Sequence, residues 1–271
     1  MSEQTESFKH PIEFHARMAE AMEHRVEEKT FPGELCPVCN TPWEGYAYRI
    51  NGKPWVKAAQ CCKCAEQERE KNNAEREQAR REGEAAQSEW LWSEICPPLY
   101  RTTVEGGVTD KARIEALPEW PAIAAHKLGN KGLILRGNTG VCKSRAMFRL
   151  LRTYHDQDPR PSMVAVTAGE FDRQCRDAQG EFRLSAWFSR LASVKVLFID
   201  DLGKTKWTPS TSGQFWELVD ARTKELKPLF ITTNLSGDTL VEHMGLGEDI
   251  GQPLLRRLRE NCVAITMKGE K

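Results

Sequence analysis

The sequence predicts a three-layer α/β domain built on a five-stranded parallel sheet, preceded by a small cysteine-knuckle module and a charged helical linker. Three observations carry this. Five short apolar runs recur after residue 130, separated by stretches of about 25–30 residues with helical patterning. Two Cys-x-x-Cys pairs stand near the N-terminus. Between these regions, residues 65–89 are almost devoid of large apolar side chains. At 271 residues the chain is long for one compact domain and short for three, so two units are expected.

Composition removes several function classes. Lys plus Arg number 39 and Asp plus Glu number 39, so a uniformly basic nucleic-acid coat is excluded and any DNA contact must be local. Apolar residues at 39% are too many for wholesale disorder. No apolar run approaches the roughly 18–20 residues needed to cross a bilayer, and Met1 to Lys9 has no apolar signal core. A cytoplasmic protein without a membrane partner is the expectation. Its nine cysteines then read as metal ligands or reduced thiols rather than disulfides.

Residues 1–30 carry a thin apolar stripe, with Met18, Met22 and Val26 at i+4 spacing, which predicts a weak amphipathic helix ended by Pro32-Gly33. Residues 31–66 change character. Trp43, Tyr46, Tyr48 and Trp55 alternate with turn residues, and Asn51-Gly52 marks a hairpin. Cys36-Pro37-Val38-Cys39 and Cys61-Cys62-Lys63-Cys64 flank a 21-residue interval with no histidine. Four thiolates, from Cys36, Cys39, Cys61 and Cys64, suit tetrahedral Zn²⁺ in a closed, structural site. Cys62 is an alternative ligand, but Cys61 has the better spacing. A redox dithiol is the competing reading, and no βαβ pattern surrounds it. The aromatic side chains have two readings, a partner-binding face or packing within the module. Residues 67–93 form a charged helix or mobile linker, and the domain boundary falls there. Pro97-Pro98 leads into the unit 94–271.

The five runs are Gly132–Arg136, Met163–Thr167, Val194–Ile199, Leu229–Thr233 and Val263–Met267. In such a sheet ligands bind beyond the carboxyl ends of the strands. Directly after the first run come Gly137, Asn138, Thr139, Gly140, Val141, Cys142, Lys143 and Ser144, followed by a helical pattern. This matches the phosphate loop G-x-x-x-x-G-K-[ST] in its strand-to-helix context. Backbone N–H groups would wrap a β-phosphate, Lys143 would bind the β- and γ-oxygens, and the Ser144 hydroxyl would ligate Mg²⁺. Cys142 departs from the pattern by standing where the last glycine belongs.

The third run delivers Asp200 and Asp201. Asp200 would hold Mg²⁺ and Asp201 would orient and deprotonate the attacking water. The competing reading is a helix cap. Asn234 after the fourth run would reach the γ-phosphate or the water, or else start a turn. Arg256, Arg257 and Arg259 precede the fifth run. They suit either a charge-stabilising arginine supplied across a subunit interface or a solvated basic helix end. Residues 171–195 place Arg173, Arg176, Arg183, Arg190 and Lys195 among Phe182, Trp187 and Phe188. That segment suits either a track for single-stranded DNA or a helix buried on the sheet.

Taken together, the segment from Ile95 to Ala264 resembles the DnaC-type helicase loaders, a branch of the AAA+ ATPases that also holds the IstB-type transposition helpers. The resemblance rests on residues 95–101 (ICPPLYR), 137–144 (GNTGVCKS), 197–204 (LFIDDLGK), 217–236 (ELVDARTKELKPLFITTNLS) and 253–261 (PLLRRLREN). It implies a P-loop AAA+ core with Walker A at 137–144, Walker B at Asp200 and Asp201, sensor 1 at Asn234 and a trans-acting arginine finger at Arg257. It gives Arg222 a structural or interfacial role. ATP, Mg²⁺ and Zn²⁺ are the implied ligands, and the implied partners are a replicative helicase, single-stranded DNA and further copies of the chain through the ATPase domain. The tail Lys268-Gly269-Glu270-Lys271 stands where the family commonly has an arginine, and no helical lid is expected after the fifth strand. The implied function is loading a replicative helicase onto single-stranded DNA. The alternatives are an IstB-like transposition helper and a nucleotide-binding adaptor with little hydrolysis.

Overall fold

The computed structural model describes residues 26–57, 62–105, 108–158, 162–177, 183–204 and 206–268. The chain divides into two compact units, Met1–Ala85 and Ala86–Lys271.

In the first unit β1 (Val26–Leu35), β2 (Pro42–Ile50) and β3 (Val56–Lys57) form an antiparallel sheet in the order β1-β2-β3. Met18 and Met22 lie outside the described residues, but Val26 corrects the predicted helix because it starts β1, opposite Ile50. Cross-strand pairing along Val26–Phe31 outweighs a sparse i+4 stripe. Pro32-Gly33 does not end an element either. The register slips between Phe31 and Glu34, with Gly33 at φ +84°, so this pair bulges β1 rather than breaking it. Asn51 and Gly52 have φ +50° and +74°, the two positive values that a tight hairpin turn between β2 and β3 demands. Helix α1 (Cys62–Ile95) then covers the segment for which helix and linker were both open. Its exposed face is laced by Arg80 and Arg81 with Glu77 and Glu84.

The second unit begins within α1, where the composition turns apolar and Trp92 is fully buried edge-on to Phe148. Short helices α2 (Pro98–Glu105), α3 (Val108–Glu115) and α4 (Trp120–Ala124) follow. The sheet is β4 (Gly132–Arg136), β5 (Met163–Thr167), β6 (Val196–Leu202), β7 (Leu229–Thr233) and β8 (Cys262–Thr266). All pairs are parallel and the order is β5-β6-β7-β4-β8. Between the strands run α5 (Lys143–Gln157), α6 (Ala168–Asp177), α7 (Arg183–Ser193), α8 (Pro209–Lys224), α9 (Gly237–His243) and α10 (Glu248–Asn261).

Period-two alternation separates two apolar layers. Leu133, Phe198 and Phe230 pack on one face with Phe148, Leu151 and Tyr154. Leu197, Ile199 and Ile231 pack on the other with Phe171, Phe215 and Leu258. The core is therefore a three-layer α/β fold on a five-stranded parallel sheet. The third strand corrects the run at Val194–Ile199: it starts at Val196 and runs on through both aspartates. The fifth begins one residue earlier than its apolar run, at Cys262. In 171–195, Phe171 is buried and Trp187 and Phe188 pack on the same layer, while Phe182 lies outside the described residues. These aromatic rings serve the core. Among the described residues no helix is long and apolar enough to cross a membrane.

Candidate nucleotide site

The centre of the sheet positions the site, because β7 lies between β4 and β6 and all three end on one side. The loop after β4 is strained in a defined way. Gly137 has φ +152°, and a Cβ there would meet the Met267 carbonyl at 2.3 Å, so only glycine passes between β7 and β8. Cys142, on the sequence position of the missing glycine, has φ +61° and ψ +26°. The backbone keeps the left-handed turn that glycine normally supplies, now with a side chain on it. Cys142 is also the N-cap of α5 and makes no side-chain cap, so the first-turn N–H groups face the loop.

Lys143 is buried and curls back into this loop. Its Nζ donates to the carbonyls of Gly137 at 3.0 Å and Asn138 at 2.9 Å and to Asn234 Oδ1 at 2.6 Å. Burial lowers the ammonium pKa, opposed by the charges of Asp201 and Asp200. Asn234 also donates to Thr139 Oγ1 at 3.3 Å, so the tip of β7 is tied to both ends of the phosphate loop.

Ser144 Oγ donates to Asp200 Oδ1 at 2.7 Å. Thr232, fully buried on β7, donates to the same oxygen. Burial pushes the Asp200 carboxyl pKa up, and these two hydroxyls pull it back. The aspartate pair sits on a bulge: β6 advances three residues from Ile199 to Leu202 while β7 advances two, and Asp201 takes φ +57°. The Asp201 N–H is held by Thr232 Oγ1 at 2.8 Å, and its carboxylate is turned out to Lys204 at 2.9 Å. The bulge therefore gives two adjacent carboxylates different surroundings, one buried on Ser144 and one facing the cleft.

That cleft has a volume of about 330 Å³. Besides the phosphate loop it is lined by Tyr100, Arg113, Arg145, Asp201, Lys204 and Asn234. Tyr100 stacks on Phe148 at 4.9 Å, and its hydroxyl hydrogen-bonds the Ser144 side chain. Sequence reasoning passed over Tyr100, Thr232 and the flanking cations. For Thr232 the signal was present: two hydroxyl side chains interrupt an apolar run immediately before Asn234. Arg113, Lys143, Arg145 and Lys204 surround a space that suits a polyanion. The donor set fits a Mg-bound nucleoside triphosphate: Lys143 and the loop N–H groups for phosphate, Ser144 and Asp200 for the cation.

Two predicted residues lie elsewhere. Arg257, on α10, pairs with Asp220 of α8 at 2.8 Å. Arg222 is buried and caps the end of α7. It donates to the carbonyls of Leu191 at 2.7 Å and Val194 at 2.9 Å and to Pro228 at 2.5 Å. Burial pushes its pKa down to about 10. Its role is structural.

In the first unit the thiol sulfurs of Cys36, Cys39 and Cys64 lie within 4.8 Å of one another, with Trp43 packed on Cys36 and Cys64. This donor set suits a soft divalent metal. Cys61, the predicted fourth ligand, lies outside the described residues. Trp55 lies beneath Lys29 at 4.5 Å and Arg49 at 5.0 Å.

No protein-family model matches the chain. No curated protein matches it either. Solved structures do. A structure of DnaI is 21% identical, with a TM-score of 0.51, over 64% of this chain and 95% of that one. The DnaC helicase loader is 17% identical over 60% of this chain and 92% of that one, at a TM-score of 0.47. Domain III of the Thermotoga maritima replication initiation protein DnaA is 18% identical over 64% and 68%, at 0.48. At these identities what the chain shares with DnaI is its fold.

Proposed function

We propose that this chain binds and hydrolyses ATP and uses the cycle to load a replicative helicase onto single-stranded DNA. One observation carries the reading: the phosphate loop, the aspartate pair and Asn234 meet in one cleft, with Lys143 joining β4 to β7 and Ser144 joining α5 to β6. Lys143 neutralises the terminal phosphates. Ser144 and Asp200 hold Mg²⁺, which would supply charge neutralisation at the β- and γ-oxygens when bound. Asp201 faces the cleft and accepts the proton of the attacking water, and Asn234 orients that water or the γ-phosphate. Arg257 serves the site of a neighbouring copy after leaving Asp220. The cysteine module binds Zn²⁺ through Cys36, Cys39, Cys61 and Cys64 and engages the helicase. DNA contact falls to the basic side chains of 171–195, of which Arg173 and Arg190 are exposed.

A second reading is favoured by one feature. The side chain at Cys142 crowds a turn built for glycine, as expected of an adaptor that binds nucleotide and turns it over slowly. ATP turnover with and without single-stranded DNA separates the two. Asp201→Asn should lower DNA-stimulated turnover about a hundredfold or more while ATP still binds. If wild type binds ATP but shows no turnover under any DNA condition, the adaptor reading replaces the loader ATPase. Co-purification with a hexameric helicase should be lost in Cys36→Ser, and retained binding would remove the module from the contact.

A further inference from the structure

We propose that the outer edge of β5 is a docking site for an extended segment of a partner protein, which joins the sheet as an added strand. This does not rest on the ATPase reading. The strand order leaves β5 at the end of the sheet. Beside it runs a groove of about 590 Å³, larger than the nucleotide cleft. Five consecutive residues, Ser162 to Val166, line it. Neighbouring residues of a strand face opposite sides, so a groove that meets both parities runs along the edge, not over a face.

The backbone supports this. The Ser162 carbonyl accepts from the Val196 N–H at 3.0 Å. Alternation along a parallel ladder then turns the N–H and C=O of Met163 and Ala165 away from β6. Thr167 has the same parity, and its N–H indeed goes to the Glu170 carboxylate at 2.9 Å. An edge left in this state is a template for another strand.

The walls select the occupant. Leu91 and Ile95 of α1 stand on one side and Trp187 and Leu191 of α7 on the other. The α1 wall is anchored, because His155 Nε2 lies 3.0 Å from the Ser88 carbonyl and Arg152 pairs with Glu89. An edge recessed between two helices cannot reach the same recessed edge of a second copy. A single extended segment can. Glu94 on the α1 wall and Arg190 on the α7 wall are both exposed. The groove therefore fits a strand with apolar side chains in its middle, a basic residue toward α1 and an acidic one toward α7.

The test uses the full chain and two fluorescein-labelled hexapeptides, Lys-Val-Thr-Val-Thr-Asp and Asp-Val-Thr-Val-Thr-Asp, followed by anisotropy. The first should bind about tenfold more tightly than the second, and Glu94→Lys should reverse that order. Ala165→Pro removes an outward N–H without touching the β6 ladder and should weaken binding at least tenfold with an unchanged thermal melt. Bound peptide should slow hydrogen exchange at the Ala165 amide. Absence of binding up to about 1 mM would overturn the proposal, as would an order of preference that Glu94→Lys leaves intact. Concentration-dependent dimers abolished by Ala165→Pro would also overturn it, by making a second copy the occupant.

Discussion

The unit Met1–Ala85 buries Cys36 and Cys64 beneath Trp43, whereas Ala86–Lys271 buries an apolar layer on each face of a five-stranded sheet. The first sheet has an outer surface of charged and aromatic side chains, and only Cys36, Ala47 and Cys64 are buried apolar residues among those described in this unit. A unit of this size gains too little from apolar burial to offset its chain entropy and needs a cross-link. The second has enough apolar surface to hold polar chemistry at its strand ends. The difference teaches where each should be fragile: the first at its sulfurs, the second at its buried polar ties.

The largest expected effect tests the first half of that contrast. On the proposal that zinc is held by the cysteine cluster, a strong chelator or the substitution Cys36→Ser should unfold 26–57 and leave the sheet of the second unit intact. Structural zinc in small peptides contributes on the order of 10–16 kcal/mol, far more than this unit could replace by packing. Hydrogen exchange reads both units at once. Loss of protection in β1 and β2 with none lost in β6 and β7 is the expected result, and protection that survives chelation would mean that the sulfurs do not hold the unit together.

The next effect tests the second half. Arg222→Met removes a guanidinium that serves the carbonyls at the end of α7 and at Pro228. Those carbonyls would be left buried without donors, at a cost of roughly 3–5 kcal/mol in a denaturant melt. Nucleotide affinity should survive in the fraction that folds, since Arg222 touches nothing in the cleft. A loss below about 1 kcal/mol would show that α7 is held by Phe171, Trp187 and their neighbours alone.

How much of this could be read without coordinates differs along the chain. β4 and β7 match their apolar runs residue for residue because a strand flanked on both sides in the sheet and covered on both faces has no other pattern, and the half-buried edge strand β5 matches its run as well. The Lys143, Ser144 and Asp200 cluster was legible because a phosphate loop and a strand-end carboxylate have one spatial arrangement in such a sheet. The bulge at Asp201 was not, since nothing in Ile199-Asp200-Asp201-Leu202 announces an extra residue in the register. Tyr100 was hidden for a different reason: it reaches Ser144 through tertiary packing of α2 on α5, which no local pattern encodes. Val26–Thr30 was misread because an i+4 coincidence in a charged segment outweighed the cross-strand pairing with β2.

The smallest effect concerns Cys142, and it sharpens the comparison inside the second unit, where strain rather than burial is the variable. A non-glycine residue at φ +61° carries a penalty that glycine avoids. Cys142→Gly should therefore stabilise the unit by roughly 0.5–1 kcal/mol, reduced by the contacts its side chain makes with the layer around Met147 and Phe148. Cys142→Ala, which keeps a Cβ, should give none of that gain. The pair of variants distinguishes strain from sulfur chemistry. If glycine both stabilises the unit and raises ATP turnover, the left-handed turn at the phosphate loop limits catalysis in the natural chain. If glycine and alanine behave alike, the backbone is already at ease there, and the slow-turnover reading loses the feature on which it stands.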